Sequence, residues 1–268
     1  MAMHDRFDLV ILDWAGTMVD FGCQAPLIAL REAFARRGIA LTEAQARRDM
    51  GTPKADHVRA LLRDPTVAAA WTAACGRAST ESDVAALMTD LGPLMREQAA
   101  RAAHLIEGAR EMVETLRAAG IRVASSTGYT REMMAPVLAE AAAQGYVPDH
   151  LVCANETPAG RPSPLMIYKA CAELGVWPLS RVVKVDDSES GVAEGRAAGC
   201  FTVGVTASGN SVGLTREALA ALSSEERATR IAAAGRSLLA AGADGVIESV
   251  AQLIPVLEST CLQSLKGA

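Results

Sequence analysis

The segment with the clearest chemical potential is residues 13–17, with the sequence DWAGT, directly after an apolar run at 9–12. An aspartate at the end of a buried strand lies where open α/β sheets bind their ligands. Its carboxylate could attack phosphorus and form a covalent intermediate. A phosphoryl-transfer site of this layout often carries a second carboxylate two residues later, but that residue is Ala15. Asp13 is therefore predicted to be a nucleophile without a neighbouring acid to protonate a leaving oxygen.

Two further predicted strands also end in polar side chains, Ser126 and Thr127 in one and Asp186 and Asp187 in the other. Each pair alone could be a helix cap or a turn former. Because the carboxyl ends of parallel strands meet at one edge of a sheet, we expect all of them to form one site with Asp13.

An aspartate that attacks an anionic phosphoryl group needs a divalent cation to screen the repulsion. Asp13 and Asp187 offer the hard oxygen ligands that Mg²⁺ prefers. Thr127 and nearby backbone N–H groups could hold one phosphoryl oxygen, and Arg161 could neutralise another. Taken alone, an arginine between glycine and proline is an ordinary exposed loop residue.

Lys54 is the most distinctive residue of the helical region that follows. Thr52 is predicted to cap a helix with Pro53 at its first position, which places Lys54 in the first turn. The positive end of the helix dipole disfavours a cation there and lowers the pKa of the amine. A neutral lysine can attack an aldehyde and form a Schiff base, and His57 on the same helix face could shuttle protons. The alternative is a solvated lysine and an ordinary helix histidine.

The elements that position these residues alternate regularly after residue 105. Predicted helices lie at 108–119, 130–144, 164–174 and 191–198, and predicted strands lie at 121–124, 151–153, 182–185 and 201–205. This alternation predicts an α/β fold, with a Rossmann-like doubly wound parallel sheet. A short strand at 245–247 and a last helix ending near Leu262 are expected toward the C-terminus.

Residues 21–103 differ, because their Ala-, Leu- and Arg-rich periodicity is helical throughout. The strand before them must pair with the later strands to bury both of its faces. We therefore predict an inserted helical cap domain at 21–103 and an α/β core domain formed by 1–20 and 104–268.

The overall composition limits the partners of the protein. The 268 residues are 50% hydrophobic with a formal net charge of -5 and basic residues scattered among acidic ones, which argues against nucleic acid or an anionic membrane as partner. No apolar segment is long enough to cross a bilayer, and the N-terminus lacks the pattern of a signal peptide. The six cysteines show no CxxC spacing, so the chain is predicted to be cytoplasmic with reduced thiols.

Four segments together resemble the phosphonoacetaldehyde hydrolases, a family of the haloacid dehalogenase superfamily: residues 13–17, 50–61, 126–134 and 158–162. The resemblance extends from about residue 7 to about residue 205. It implies Mg²⁺-dependent hydrolysis of the P–C bond of a small phosphonate, phosphonoacetaldehyde, to acetaldehyde and phosphate, in 2-aminoethylphosphonate degradation. It also implies a homodimer.

The resemblance assigns roles to individual residues. Asp13 would take the phosphoryl group and Lys54 would form the Schiff base. The implied metal ligands are Asp13, the backbone carbonyl of Ala15, and Asp187. The implied substrate contacts are Thr127, Gly128 and Arg161 around the phosphonyl oxygens, and Cys23, Met50, His57 and Tyr129 around the aldehyde and the lysine. For Cys23 and Met50, a role as apolar filler is an alternative.

The resemblance also explains why residue 15 is alanine and not an acid. Cleavage of a P–C bond expels carbon, so there is no leaving oxygen to protonate. The chain departs from the family pattern at Asp186 and Gly191, where relatives tend to carry glycine and aspartate. Asp186 or Glu189 is a candidate to replace the aspartate carboxylate that relatives tend to carry at the position of Gly191. Two other functions stay open: a magnesium-dependent phosphatase or phosphomutase of the same superfamily, and a weakly catalytic relative that binds a phosphorylated ligand.

Overall fold

A parallel β-sheet organises the fold. The computed structural model describes residues 3–266, and within them six strands form one sheet in the order β3-β2-β1-β4-β5-β6, every ladder being parallel. The strands are β1 (Leu9–Leu12), β2 (Arg122–Thr127), β3 (His150–Cys153), β4 (Val182–Asp186), β5 (Phe201–Val205) and β6 (Gly245–Ile247). The predicted doubly wound α/β fold is confirmed.

Helices fill the connections between the strands. Those up to β2 are α1 (Met3–Arg6), α2 (Gln24–Ala35), α3 (Glu43–Arg47), α4 (Lys54–Arg63), α5 (Pro65–Cys75), α6 (Glu81–Arg101) and α7 (Ala109–Ala118). Those after β2 are α8 (Arg131–Ala143), α9 (Leu165–Leu174), α10 (Glu189–Ala198), α11 (Arg216–Ala220), α12 (Ser224–Ala240) and α13 (Leu253–Lys266). None of the helices within residues 3–266 combines the length and apolarity that a bilayer-spanning helix needs.

Strand β1 lies in the middle of the sheet and is buried on both faces. Successive side chains of a strand point to opposite faces, so Val10 and Leu12 join one apolar cluster whereas Leu9 and Ile11 join another, packed against α9. This double burial explains why the sequence of β1 is apolar at every position. It also fixes the point at which Asp13 leaves the sheet.

The helices α2 to α6, called the insert below, lie between β1 and β2 in the chain. Their apolar side chains, such as Phe34 and Leu87, belong to the same buried cluster as Val10 and Leu12 of the sheet. The helical character predicted for residues 21–103 agrees with these five helices. The division into a core domain and a cap domain at those boundaries stays a prediction.

Candidate active site

The carboxyl ends of the central strands gather three aspartates. Asp13 directly follows β1, Asp186 is the last residue of β4, and Asp187 follows it. One carboxylate oxygen of each lies within 4.8 Å of the others, and all three side chains are buried. Thr127, at the end of neighbouring β2, is also buried, and its Oγ1 accepts a hydrogen bond of 3.2 Å from the backbone N–H of Tyr129.

A loop of the insert, residues 51–53, covers this edge of the sheet. Two glycines outside the insert, Gly128 and Gly160, allow the loop to come close. A Cβ at Gly128 would lie 2.8 Å from the carbonyl oxygen of Gly51, and a Cβ at Gly160 would lie 2.3 Å from Cγ of Pro53. Larger residues at these two positions would push the loop away from the strand ends. The loop carries Lys54 into the site.

The start of α4 differs in one detail from the sequence prediction. Pro53 is the N-cap and Lys54 the first helical residue, whereas Thr52 donates its hydroxyl to the carbonyl of Asp49 at 2.7 Å. The predicted capping by Thr52 is therefore wrong, because a preceding turn uses its hydroxyl. The predicted place of Lys54 in the first turn is correct.

The Lys54 amine is held in an apolar environment. The residue is 3% exposed, and its Nζ lies 3.9 Å from Sδ of Met50 and 5.6 Å from the centroid of the Tyr129 ring. Burial lowers the pKa of Lys54 to about 8, against the opposing charge of Asp13. Burial, more than the helix dipole expected from the sequence, therefore favours the neutral amine.

His57 follows one turn later on α4 and is fully buried. Burial and the charge of Lys54 lower the pKa of His57 to about 3. Its imidazole is therefore neutral at pH 7, and a proton shuttle through it stays a prediction.

Arg161 is not an exposed loop residue but the centre of a buried ion-pair network. Its Nη1 lies 2.8 Å from Oδ1 of Asp13, its Nη2 3.3 Å from Oδ2 of Asp186, and its Nε 3.1 Å from Oε2 of Glu194. Nη2 also donates to the carbonyl of Ser126 at 2.7 Å. These contacts direct one edge of the guanidinium at Asp13, the predicted nucleophile.

Lys184 is a member of this network that the sequence analysis missed. Its Nζ lies 2.9 Å from Oδ2 of Asp186 and 3.4 Å from Oε2 of Glu194, and it donates to Oγ of Ser126 at 2.8 Å. The residue is fully buried. A lysine inside an apolar strand requires a buried partner, and that signal could have identified it.

The buried negative charges of this site outnumber the buried positive charges. Within the described chain the cluster contains four buried carboxylates and two buried cations: Asp13, Asp186, Asp187, Glu194, Arg161 and Lys184. Even with Lys54 protonated, full ionisation leaves net negative charge. Burial and the neighbouring carboxylate raise the pKa of Asp13 to about 6, and burial with the Asp13 charge raises the pKa of Asp187 well above its usual range. A divalent cation bound by oxygen ligands fits this environment.

The predicted metal ligands Ala15 and Asp187 are joined by Cys23. Its thiol lies 3.1 Å from the carbonyl oxygen of Ala15 and 3.1 Å from Oδ2 of Asp187. The backbone N–H of Asn210 donates to the same Oδ2 at 2.7 Å. A Cβ at Gly16 would lie 2.2 Å from this oxygen. Cys23 therefore supports the carboxylate directly, in addition to lying near Lys54.

Asp186 fills the space that a side chain at residue 191 would occupy. A Cβ at Gly191 would lie 2.0 Å from Cγ of Asp186. Ser188 holds the carboxylate with its hydroxyl at 2.7 Å. Glu189, the other candidate for this carboxylate, is exposed and bonds Ser237. The structure thus places Asp186 in the site and Glu189 outside it.

One cavity is lined by nearly all the residues that were named from the sequence. Its lining includes Asp13, Ala15, Cys23, Met50, Lys54, Thr127, Gly128, Tyr129, Arg161 and Asp187. Of the residues that the family resemblance assigns to catalysis, substrate binding or metal binding, His57 is not part of this lining. The cavity thus brings together the predicted nucleophile Asp13, an amine of lowered pKa and an arginine.

Comparisons with known proteins show what the chain is similar to. A family model described as haloacid dehalogenase-like hydrolase matches residues 7–199. The phosphonoacetaldehyde hydrolase of Paraburkholderia phytofirmans is 46% identical over 92% of this chain and 93% of its own. That of Bacillus cereus is 42% identical over 97% of this chain and 98% of its own. A crystal structure of a phosphonoacetaldehyde hydrolase-like protein from Oleispira antarctica, 42% identical, superposes with a TM-score of 0.96 over 98% of this chain and 95% of its own.

Proposed function

The chain belongs to the haloacid dehalogenase-like hydrolases and, within them, to the phosphonoacetaldehyde hydrolase family, and from this premise we propose how it cleaves the P–C bond of phosphonoacetaldehyde. The enzyme releases acetaldehyde and phosphate. In the proposed mechanism Lys54 forms an imine with the aldehyde and Asp13 takes the phosphoryl group. The observation that carries it is a buried lysine with a lowered pKa in the same cavity as an aspartate that has alanine, not an acid, two residues later.

The first step activates the carbon that must leave. The neutral amine of Lys54 adds to the aldehyde carbonyl, and uptake of one proton with loss of one water gives a protonated imine. A carboxylate oxygen of Asp13 then attacks phosphorus as the P–C bond breaks. The electron pair of that bond moves into the imine and leaves a neutral enamine. No leaving oxygen needs a proton, which accounts for Ala15.

The remaining steps restore both residues. Protonation of the enamine carbon regenerates a protonated imine, and one water then releases acetaldehyde, the free amine of Lys54 and one proton. A second water cleaves the acyl phosphate on Asp13 and releases phosphate. The sum is one phosphonoacetaldehyde and one water converted to acetaldehyde and phosphate.

The other site residues bind and orient the substrate. We propose that Arg161, Thr127 and Gly128 hold the phosphonyl oxygens, and that Met50 and Tyr129 keep the Lys54 amine in its apolar surroundings. Mg²⁺, held by Asp13, the carbonyl of Ala15 and Asp187, would supply charge neutralisation for the transferring oxygens. Cys23 and His57 also belong to the proposed site. Cys23 lies next to the metal ligands Ala15 and Asp187, and His57 lies one turn after Lys54 on α4.

Two other functions predict different sites. A phosphatase or phosphomutase that expels an oxygen would use an acid at residue 15, and would have no use for an amine of lowered pKa. A weakly catalytic binding protein would not need the nucleophile and the amine to share one cavity. A homodimer and a cytoplasmic location remain parts of the proposal, and sedimentation of the purified protein tests the first.

Borohydride trapping tests the mechanism. With phosphonoacetaldehyde and borohydride, we expect an ethyl group on the peptide that contains Lys54, because reduction traps the imine left after P–C cleavage. Asp13→Asn should instead trap an adduct that retains phosphorus, since imine formation does not require the nucleophile. Lys54→Ala should abolish both the adduct and phosphate release, whereas Lys169→Ala, which removes a surface lysine of α9 paired with Glu173, should retain them. Full phosphate release by Lys54→Ala would refute the mechanism.

A further inference from the structure

Arg47, the last residue of α3, reaches from the insert to the rest of the molecule. Its Nη1 donates to the carbonyl of Gly22 at 2.8 Å and to Oδ1 of Asn210 at 3.1 Å, and its Nη2 donates to the carbonyl of Gly213 at 2.7 Å. Nε pairs with Glu43 at 2.7 Å within the same helix. The side chain is only 11% exposed. The planar fork of the guanidinium thus joins three acceptors outside α3 at once.

Asn210, in the loop after β5, forms hydrogen bonds with Arg47 and also with Asp187, a predicted metal ligand. Its Nδ2 donates to the carbonyl of Arg47 at 3.0 Å, so the two residues bond each other in both directions. Its backbone N–H donates to Oδ2 of Asp187 at 2.7 Å. One residue therefore contacts the insert with its side chain and the carboxylate with its backbone.

The loop that carries Asn210 lies directly on the site. A Cβ at Gly209 would be 2.7 Å from Cβ of Asp187, and the Ser208 hydroxyl donates to the carbonyl of Gly16 at 2.8 Å. A displacement of this loop would therefore also displace Asp187. Closely packed interiors have low compressibility and transmit strain.

We propose that Arg47 and Asn210 form a latch that couples the position of the insert to the alignment of Asp187. Asp13 and Lys54 are 6% and 3% exposed, so substrate reaches them only when the insert moves away. That movement breaks the bonds of Arg47 and frees the loop of Asn210. Closure restores them and holds Asp187 in its binding position, which makes Asn210 a positioning residue. The inference rests on the proposed function only in treating Asp187 as a metal ligand.

Two readouts that need no phosphonate test the latch. The first is calorimetric titration with Mg²⁺. The second is the rate at which iodoacetamide alkylates Cys23, a site thiol that is 2% exposed, followed by peptide mass. Arg47→Ala and Asn210→Ala should each weaken Mg²⁺ binding about tenfold and speed alkylation of Cys23 by a similar factor. Asn210→Ala keeps the backbone bond to Asp187, so its effect reports the side chain alone.

Arg48→Ala is the matched control. Arg48 is the adjacent arginine, is 58% exposed and pairs with Asp64 inside the insert at 2.9 Å. The Arg48→Ala variant should leave both the Mg²⁺ affinity and the alkylation rate of Cys23 at wild-type values. Buried Cys153 of β3 serves as the reference thiol, because equal acceleration at Cys153 and Cys23 would mean general loosening and would overturn the proposal. Arg47→Lys, which keeps the charge and loses the fork, should give an intermediate effect.

The double variant Arg47→Ala with Asn210→Ala decides whether the residues act together. Residues of one unit show non-additive effects, so the double variant should be no worse than the more severe single variant. Tenfold weakening corresponds to about 1.4 kcal/mol, and a hundredfold loss in the double variant would overturn the coupling. Wild-type values in both single variants, or a wild-type protein that binds no Mg²⁺, would overturn it as well. A protein that shows the latch but releases no phosphate would refute the proposed function alone.

Discussion

At the scale of single residues, the chemistry depends on how the surroundings change the protonation of ordinary side chains. Burial favours the neutral forms of Lys54 and His57, and it opposes ionisation of Asp13 and Asp187. Asp186 differs, because the charges of its cationic neighbours outweigh its burial and lower its pKa. In the proposed mechanism, burial therefore favours the neutral amine that attacks carbon, and it also favours binding of a cation by the carboxylates.

Sequence alone could predict Asp13 and Lys54, because each has a local signature, a strand end or a helix start. It could not place Glu194 or Asn210 in the site, and for Lys184 it offered only the anomaly of a lysine inside an apolar strand. Their importance comes from partners far away in the chain, and such pairs form only once the sheet and the insert are assembled.

The lowered pKa of Lys54 predicts the pH dependence of imine formation. A pKa of about 8 leaves about one-tenth of the amine neutral at pH 7 and half of it at pH 8. Trapping with acetaldehyde and cyanoborohydride should therefore speed up as pH rises and level off above pH 8. The measurement is the rate of Lys54 ethylation by peptide mass at several pH values, with surface Lys169 as internal reference. A rate that keeps rising to pH 10 would contradict the assignment.

At the scale of elements, the junction between β4 and α10 shows how local structure supports the site. The hydroxyl of Ser188 accepts from the N–H of Gly191 at 3.1 Å and caps the helix, while it donates to Asp186. Periodicity predicted this helix from residue 191, but the cap starts it at Glu189. At α4, a turn that uses the hydroxyl of Thr52 likewise moved the start to Lys54. Periodicity locates helices, whereas their first residues depend on competing hydrogen bonds.

The absence of a side chain at Gly191 is predicted to be essential. In Gly191→Ala the added carbon would meet Asp186 at 2.0 Å, so the carboxylate must leave its place between Arg161 and Lys184. We expect a loss of stability of about 1–3 kcal/mol and at least a tenfold loss of kcat, measured by thermal denaturation and phosphate release.

Gly92→Ala is the matched control for this change. Gly92 also lies inside a helix, α6, where the nearest atom to an added Cβ is the flexible end of Arg96 at 4.0 Å. Helix propensity predicts that this variant is slightly more stable than the wild type, with unchanged activity. In Gly191→Ala combined with Asp186→Gly the clash is relieved but Lys184 loses a partner, so stability should recover only in part and activity should not recover. Recovery of activity would show that Asp186 is dispensable.

At the scale of the whole molecule, the most buried charges lie where the sheet, the insert and the loop after β5 meet. The sheet supplies Asp13 and Asp186 at its centre, and the insert covers them with Lys54. The alternating sequence pattern predicted the sheet, and the helical pattern predicted the insert. Neither pattern carries information on how the two surfaces fit, which depends on Gly128 and Gly160 accepting the insert loop.

This charge imbalance predicts that metal removal destabilises the protein. The carboxylates outnumber the cations of the buried cluster, so a divalent cation that binds the native state should stabilise it, by about 2.7 kcal/mol at a hundred times its Kd. For a chain of this size that is a rise in Tm of several degrees. Calorimetry with Mg²⁺, with chelator, and with Na⁺ at equal ionic strength measures it. Asp187→Asn should raise the Tm of the metal-free protein, because one buried charge is gone, and should abolish the Mg²⁺-dependent shift. An equal shift in wild type and variant would place the cation elsewhere.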